Sequence, residues 1–333
     1  MTILAVDLIT SDAPLAALRP DWEQLWRRVP TSTPFQSPAW LLPWWRQFGN
    51  GLPRVAVLHD GQALAGILPL YVLDNRSERK LLPMGAGITD YQDALLAPGV
   101  PADAAGRLLG MALHQARRDG VTSCDLIDVP PDAHLRAADP PDGWRGEWRA
   151  ADACPVLGLP ETVEQLRACV PAPMLRKLRM NRHRVDRIGG CTIEIATEET
   201  AGALLDELFR LHETRWGGEG VLGDPRVRAF HRNAAPLLLA EGALRLQVLR
   251  FETRIVAAYY ALLVRPRRIL FYLSAYDPHH ARESPGTVLL GAMIEAAVRE
   301  GRTELHFLRG GESYKYAWGG ADRMNAVCRL VPV

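Results

Sequence analysis

The chain has 333 residues, 48% of them hydrophobic and 23% charged, which is enough apolar material for two domains with real cores and excludes a disordered chain. Lys and Arg number 39 against 38 Asp and Glu, and the resulting net charge of +1 excludes an overall electrostatic drive toward nucleic acid or an anionic membrane. The five cysteines, Cys124, Cys154, Cys169, Cys191 and Cys328, have neither metal nor redox spacing, a pattern expected of a reducing compartment.

The opening segment, Met1 to Asp7, has no basic stretch ahead of an apolar run, and no apolar run approaches the ~20 residues that span a bilayer. A soluble cytoplasmic protein without a leader is expected. Ser37-Pro38 opens a predicted helix through Phe48, with proline in its first turn and its tryptophans read as core. Strands are predicted over 54–59 and 63–71, and Asp60-Gly61 between these apolar runs signals a hairpin. A strand near Leu81 to Met84 leads into Gly85-Ala86-Gly87, which lacks the last glycine of a dinucleotide loop and runs into acidic residues, so a Rossmann site is rejected. The loop Asp90-Tyr91-Gln92-Asp93 reads either as a binding surface for a polar or cationic substrate or as a capped surface loop. A helix over about 102–118 and a strand over 124–129 close the first unit.

Prolines between Pro130 and Pro141 mark a surface connection, with the domain boundary near 150–160. The expected domains are 1–150 and 151–333. A helical arm over about 161–187, interrupted at Pro171 and Pro173, carries the basic run 176–187 and an apolar stripe of Leu175, Leu178, Val185 and Ile188. The arm reads as a solvated basic face or as a contact for a cofactor phosphate. His212, Glu213, Arg215 and Trp216 end a further helix, either reaching a cleft or packing there.

Strands are then predicted over 244–251 and 255–263, with a turn at 252–254, and over 269–276. A helix from Gly286 to Gly301 and a strand over 303–308 follow. This repeats the plan of the first half: hairpin, strand, loop, helix stopped by glycine, strand. Ser284-Pro285-Gly286-Thr287 at the start of the helix offers a cap, a proline suited to the first turn, and a glycine that lets a ligand approach the backbone. Unpaired amides there suit an anion, and Arg282 adds a guanidinium; an ordinary capped helix is the other reading. Glu312, Tyr314 and Lys315 directly follow the last strand behind Gly310-Gly311, and read as acid–base groups in a cleft or as a solvated turn. No G-x-S-x-G, Walker or H-E-x-x-H pattern is present, and His279-His280 are adjacent, so no metal site is expected.

Five segments, Phe35 to Trp40, Thr89 to Asp93, Leu211 to Trp216, Ser284 to Gly286, and Phe307 to Lys315, taken in order, resemble the GNAT-superfamily N-acetyltransferases and, more narrowly, the CelD/BcsL type linked to cellulose biosynthesis. The resemblance implies an α/β (α+β) protein of two GNAT-like domains, each a mixed, mostly antiparallel sheet flanked by helices, as in Fem-type peptidoglycan aminoacyltransferases. It also implies acetyl-CoA or another acyl-CoA as cosubstrate and no metal. The donor's diphosphate would lie on Arg282, Ser284, Pro285, Gly286 and Thr287, and the acyl group between the 269–276 and 303–308 strands. Glu312 would act as base, Tyr314 as acid, and Lys315 would hold an anion or tune Glu312. A small-molecule or saccharide acceptor would meet Asp90, Tyr91, Gln92, Asp93, Arg215 and Trp216. The family's donor signature is an Arg or Gln, two intervening residues, then Gly-x-Gly or Gly-x-Ala; here Ala281 stands in place of the Arg or Gln and Ser284 in place of the first glycine. Two alternatives remain: a Fem-like transferase taking its acyl group from aminoacyl-tRNA, with the basic arm on RNA, and a non-catalytic module that binds CoA or saccharide.

Overall fold

The computed structural model describes residues 4–75 and 78–333; Met1, Thr2 and Ile3, which begin the segment read as leaderless, lie outside the described residues. The elements of the first half are β1 (Leu4–Ile9), α1 (Asp12–Ala17), α2 (Arg19–Arg28), α3 (Pro38–Phe48), β2 (Leu52–Asp60), β3 (Ala63–Asn75), β4 (Glu78–Pro83), β5 (Leu95–Leu96), α4 (Ala104–Arg118), β6 (Ser123–Val129) and β7 (Trp144–Arg145). Those of the second are β8 (Trp148–Gly158), α5 (Leu166–Cys169), α6 (Ala172–Asp186), β9 (Cys191–Ile195), α7 (Ala201–Trp216), α8 (Pro225–Ala240), β10 (Leu244–Phe251), β11 (Arg254–Val264), β12 (Arg268–Tyr276), α9 (Pro285–Arg299), β13 (Glu304–His306), α10 (Ser313–Ala317) and β14 (Ala321–Pro332). No helix among the described residues is long and apolar enough to cross a membrane.

The chain forms two compact units, residues 1–152 with 323–333, and residues 153–322. In the first, the strand order is β1-β2-β3-β4-β6-β14. Every pairing is antiparallel except β4 with β6. The Asp60-Gly61 turn is where the sequence places it: Asp60 pairs with Ala63, and Gly61 takes the positive φ of 61° that the turn demands. The chain's last strand, grouped with the second half in the sequence reading, belongs here because it pairs along β6. Helix α4 lays Leu108, Leu109, Ala112 and Leu113 on the sheet's core face.

In the second unit the order is β8-β13-β12-β11-β10-β9, again antiparallel except for one pair, β12 with β13. Helices α6 and α9 cover one face, burying Leu178, Val185, Leu289 and Met293 against Tyr259, Phe271 and Ile269. The hairpin turn is tighter than expected, because Arg254 already pairs with Phe251 and only Glu252 and Thr253 lie between the strands. The arm's stripe is also corrected. Ile188 falls beyond the end of α6 and is 42% exposed, while Met174 and Asn181 join Leu178 and Val185 on the buried side.

Candidate active site

The parallel pairing of β12 with β13 runs only through Arg268–Glu304, Ile269–Leu305 and Leu270–His306. Past His306 the chain turns away to β8, with the Phe307 amide on the Pro155 carbonyl and the Gly310 amide on that of Ala153, each bond made at 2.8 to 3.0 Å. Leu308 adopts a positive φ of 59° in this departure. Strand β12 continues to Tyr276, so the two strands splay. At the point of splay β12 carries one extra residue, Tyr272, because Tyr260 pairs with Leu273 but Ala261 pairs with Phe271.

Helix α9 starts beside this opening. Ser284 occupies its N-cap but sits in the left-handed region at φ 50°, ψ 55°, and makes no side-chain cap bond. Its hydroxyl instead donates back to the Ala281 carbonyl at 3.3 Å. The capping role expected from sequence is therefore absent. The amide of Thr287, also expected to face an anion, bonds to the Ser284 carbonyl at 2.9 Å, as does that of Val288 at 3.2 Å. The amides of Arg282 and Gly286 have no acceptor among the described residues. The Arg282 guanidinium makes no ion pair there either, and Arg184 from α6 reaches its carbonyl at 3.2 Å. Pro285 is buried in the first turn. A helix start with free amides and two guanidinium groups close by is a fit for a diphosphate.

Strand alternation sets the floor of the site. Tyr259 pairs with Ser274 and Tyr276 with Ala257, so both tyrosines project on the α9 side of the sheet. The Tyr259 hydroxyl donates to the Gly286 carbonyl. A Cβ on Gly286 would lie 3.1 Å from that hydroxyl and 3.5 Å from the Tyr276 ring, so the helix start rests directly on these side chains. Sequence reasoning passed over both tyrosines, although the register of two alternating strands was the signal that places them.

At the end of α7, Arg215 lies between two aromatic faces, 4.1 Å from the Trp216 ring centroid and 4.3 Å from that of Tyr276. Trp216 covers His212 at 4.4 Å between ring centroids. Burial, then Arg228 and Arg215, hold the His212 imidazole below its ordinary value. Tyr314, at the start of α10, packs edge-on to Phe307 and Phe271 at 6.1 and 6.4 Å. Its phenol is pushed up by burial and then by Glu312, with Arg215 pulling the other way.

Lys315 departs from the readings as a solvated residue and as an anion holder, whereas Glu312 keeps the exposure of a solvated turn. The Lys315 side chain is 2% exposed. Its ammonium donates to the carbonyls of Leu308, Arg309 and Gly310 at 3.0, 2.6 and 3.1 Å, and pairs with Glu312 at 2.9 Å. With its donors spent on the protein it is not available to a substrate anion; it fastens the strand-to-helix loop. Glu312 is 58% exposed and ion-paired, not enclosed in an apolar cleft.

The loop 90–93 of the first unit is a packed element, not an open polar surface. Asp90, Tyr91 and Gln92 are at most 8% exposed, and Asn325 donates to the Asp90 carbonyl at 2.8 Å. Asp93 accepts the amides of His134 and Leu135 at 2.9 and 3.0 Å, and burial pushes its carboxyl up to about 6. Residues expected to touch an acceptor here serve the fold of their own unit.

The structure thus gathers Arg282, Gly286, Arg215, Trp216, Glu312 and Tyr314 in the second unit. Residues 173–316 match the family model of an acetyltransferase (GNAT) domain. No curated protein matches the chain in sequence. Among solved structures it is similar to FemX, at 10% identity over 93% of this chain and 95% of that one, with a TM-score of 0.66. It is similar also to L-PGS from Bacillus licheniformis, at 14% identity over 83% of each chain, TM-score 0.56. A third likeness is to a tandem GNAT protein from the clavulanic acid biosynthesis pathway, at 15% identity over 98% of each chain, TM-score 0.50. At such identities the likeness to these structures is one of fold. The fold is that of GNAT proteins, and the domain match over 173–316 makes the chain an acyltransferase.

Proposed function

We propose that the second unit transfers an acyl group, acetyl in the simplest case, from acyl-CoA to the amine of a small molecule. The supporting observation is the pair of free amides at Arg282 and Gly286, beside strands that part toward Tyr314. The diphosphate rests on those amides and on Arg282, and the thioester arm follows the splay. The amine attacks the thioester carbon, a C–N bond forms, and the C–S bond breaks. A main-chain amide of β12 near the Tyr272 bulge stabilises the oxyanion. Glu312 takes the amine's proton. Tyr314 gives its proton to the departing thiolate. Lys315 positions the loop that carries both groups. The narrower CelD/BcsL assignment belongs to the same reading and rests on the sequence motifs, and a cytoplasmic setting rests on the scattered cysteines.

The test is thiol release from acetyl-CoA over a panel of amines. Tyr314→Phe and Glu312→Gln are each expected to lower turnover about 100-fold with circular dichroism unchanged. Unchanged rates at both positions remove these roles, and an absence of thiol release with any amine favours a non-catalytic module.

One observation favours a second reading. On α6, Arg176, Lys177 and Arg179 are exposed and have no acceptor among the described residues, a surface suited to RNA. An aminoacyl-tRNA donor predicts binding that weakens steeply with salt. Salt-independent acetyl-CoA turnover decides for the first reading.

A further inference from the structure

The stacked arginine at the end of α7 says something about the acceptor. Guanidinium stacked between two aromatic faces keeps its plane fixed while its N–H edges stay open. Arg215 is held in this way by Trp216 and Tyr276, and no carboxylate or carbonyl takes its N–H groups among the described residues. Other exposed arginines, such as Arg226 and Arg232, lie against a carboxylate at 2.8 Å. Tyr314 lies within the electrostatic reach of both Arg215 and Glu312, whose effects on it are opposite in sign, yet those two side chains make no ion pair with each other. The phenol is therefore flanked by a cation and by a carboxylate whose Oε2 is held by Lys315 at 2.9 Å and whose Oε1 has no partner among the described residues.

We propose that the acceptor is a zwitterion, an amino acid or a close analogue, whose carboxylate is bound by the edge of Arg215 and whose ammonium approaches Glu312. This rests on the acyltransferase reading and names its substrate class. The geometry serves the chemistry. The carboxylate anchors the acceptor on a rigid fork, and the ammonium is delivered to the group that deprotonates it, beside the phenol that protonates the thiolate. Arg215 is a specificity-determining residue, and Trp216 and Tyr276 position it.

The experiment is saturation-transfer NMR with the CoA-saturated protein. The probes are the standard amino acids and β-alanine, each set beside its carboxamide, on wild type and Arg215→Gln. Calorimetry with acetyl-CoA is run on both proteins. The expected result is at least one amino acid that binds wild type and whose carboxamide does not. Its affinity falls at least tenfold in Arg215→Gln, while acetyl-CoA binds both proteins alike. Equal signals from carboxylates and carboxamides, no signal from any of them, or a preference that survives in Arg215→Gln overturns the proposal. So does a loss of acetyl-CoA affinity in Arg215→Gln, which assigns the cation to the donor's diphosphate. Failure of wild type itself to bind acetyl-CoA is read separately and counts against the acyltransferase chemistry.

Discussion

Ser284 shows how one residue departs from a family pattern and what that does physically. It stands where the GNAT signature has glycine, and it holds a left-handed backbone with only a 3.3 Å hydroxyl contact in return. That conformation costs a residue with a side chain about 1–2 kcal/mol. Ser284→Gly is therefore expected to stabilise the protein by about 1 kcal/mol, read as a rise of a few degrees in thermal midpoint, with acetyl-CoA affinity unchanged or improved. Lys315 works in the opposite sense. Replacing it by methionine strips the donor from three carbonyls and from Glu312, and a loss of about 3 kcal/mol in urea unfolding is expected. Burial pulls His231 from 6.5 down to about 3. The unfolded chain then binds a proton that the folded chain refuses. The associated stability is whole above about 6.5 and is lost as pH falls toward the folded value. His231→Phe should flatten the stability–pH profile between those two values; an unaltered slope would contradict this. Residue types at the site were legible in the sequence. Their surroundings were not: nothing in Glu312-Ser313-Tyr314-Lys315 tells that the lysine turns inward while the glutamate stays out.

The elements that position the site are α6, α9 and the parting strands. Gly291 lets α6 approach α9, since a Cβ there would lie 2.6 Å from a Leu178 methyl carbon. An alanine would regain about 1 kcal/mol of helix propensity, enough to offset part of the clash. Valine has no such gain. Gly291→Val is expected to cost about 2 kcal/mol, and a shift of α9 should appear as weakened acetyl-CoA binding. Elements with strong patterning were read correctly from sequence: the Asp60-Gly61 hairpin, α3 after Ser37-Pro38, and α9 ending at Glu300-Gly301. Elements that were missed have weak signals. Strand β9 is short and mostly exposed, so its alternation carries little apolar contrast. Strand β8 lies across what read as the domain boundary, and its first half is not buried. The splay of β12 from β13 was expected only through the family resemblance, because a short parallel pairing leaves no pattern in either strand.

At the scale of the whole chain, one strand order serves both units. An edge strand pairs with a hairpin, a fourth strand follows, and a helix then leads to a parallel fifth strand flanked by a sixth, antiparallel one. The repeat was visible in the sequence as an order of elements. The assignment of β14 to the first unit was not, since pairing partners far apart in the chain leave no local mark. Among the described residues, the second unit sets an arginine between two aromatic rings and opens α9 with the free amides of Arg282 and Gly286, which is why chemistry is placed there. That account stands on the grip of α9's first turn on a diphosphate. Calorimetric titration of acetyl-CoA into wild type and Gly286→Val tests it most directly, because the added side chain would run into the Tyr259 hydroxyl and crowd the free amide. The account predicts saturable binding by wild type and at least tenfold weaker binding by a folded Gly286→Val. Equal affinity in the two proteins, or no binding by wild type, would contradict it.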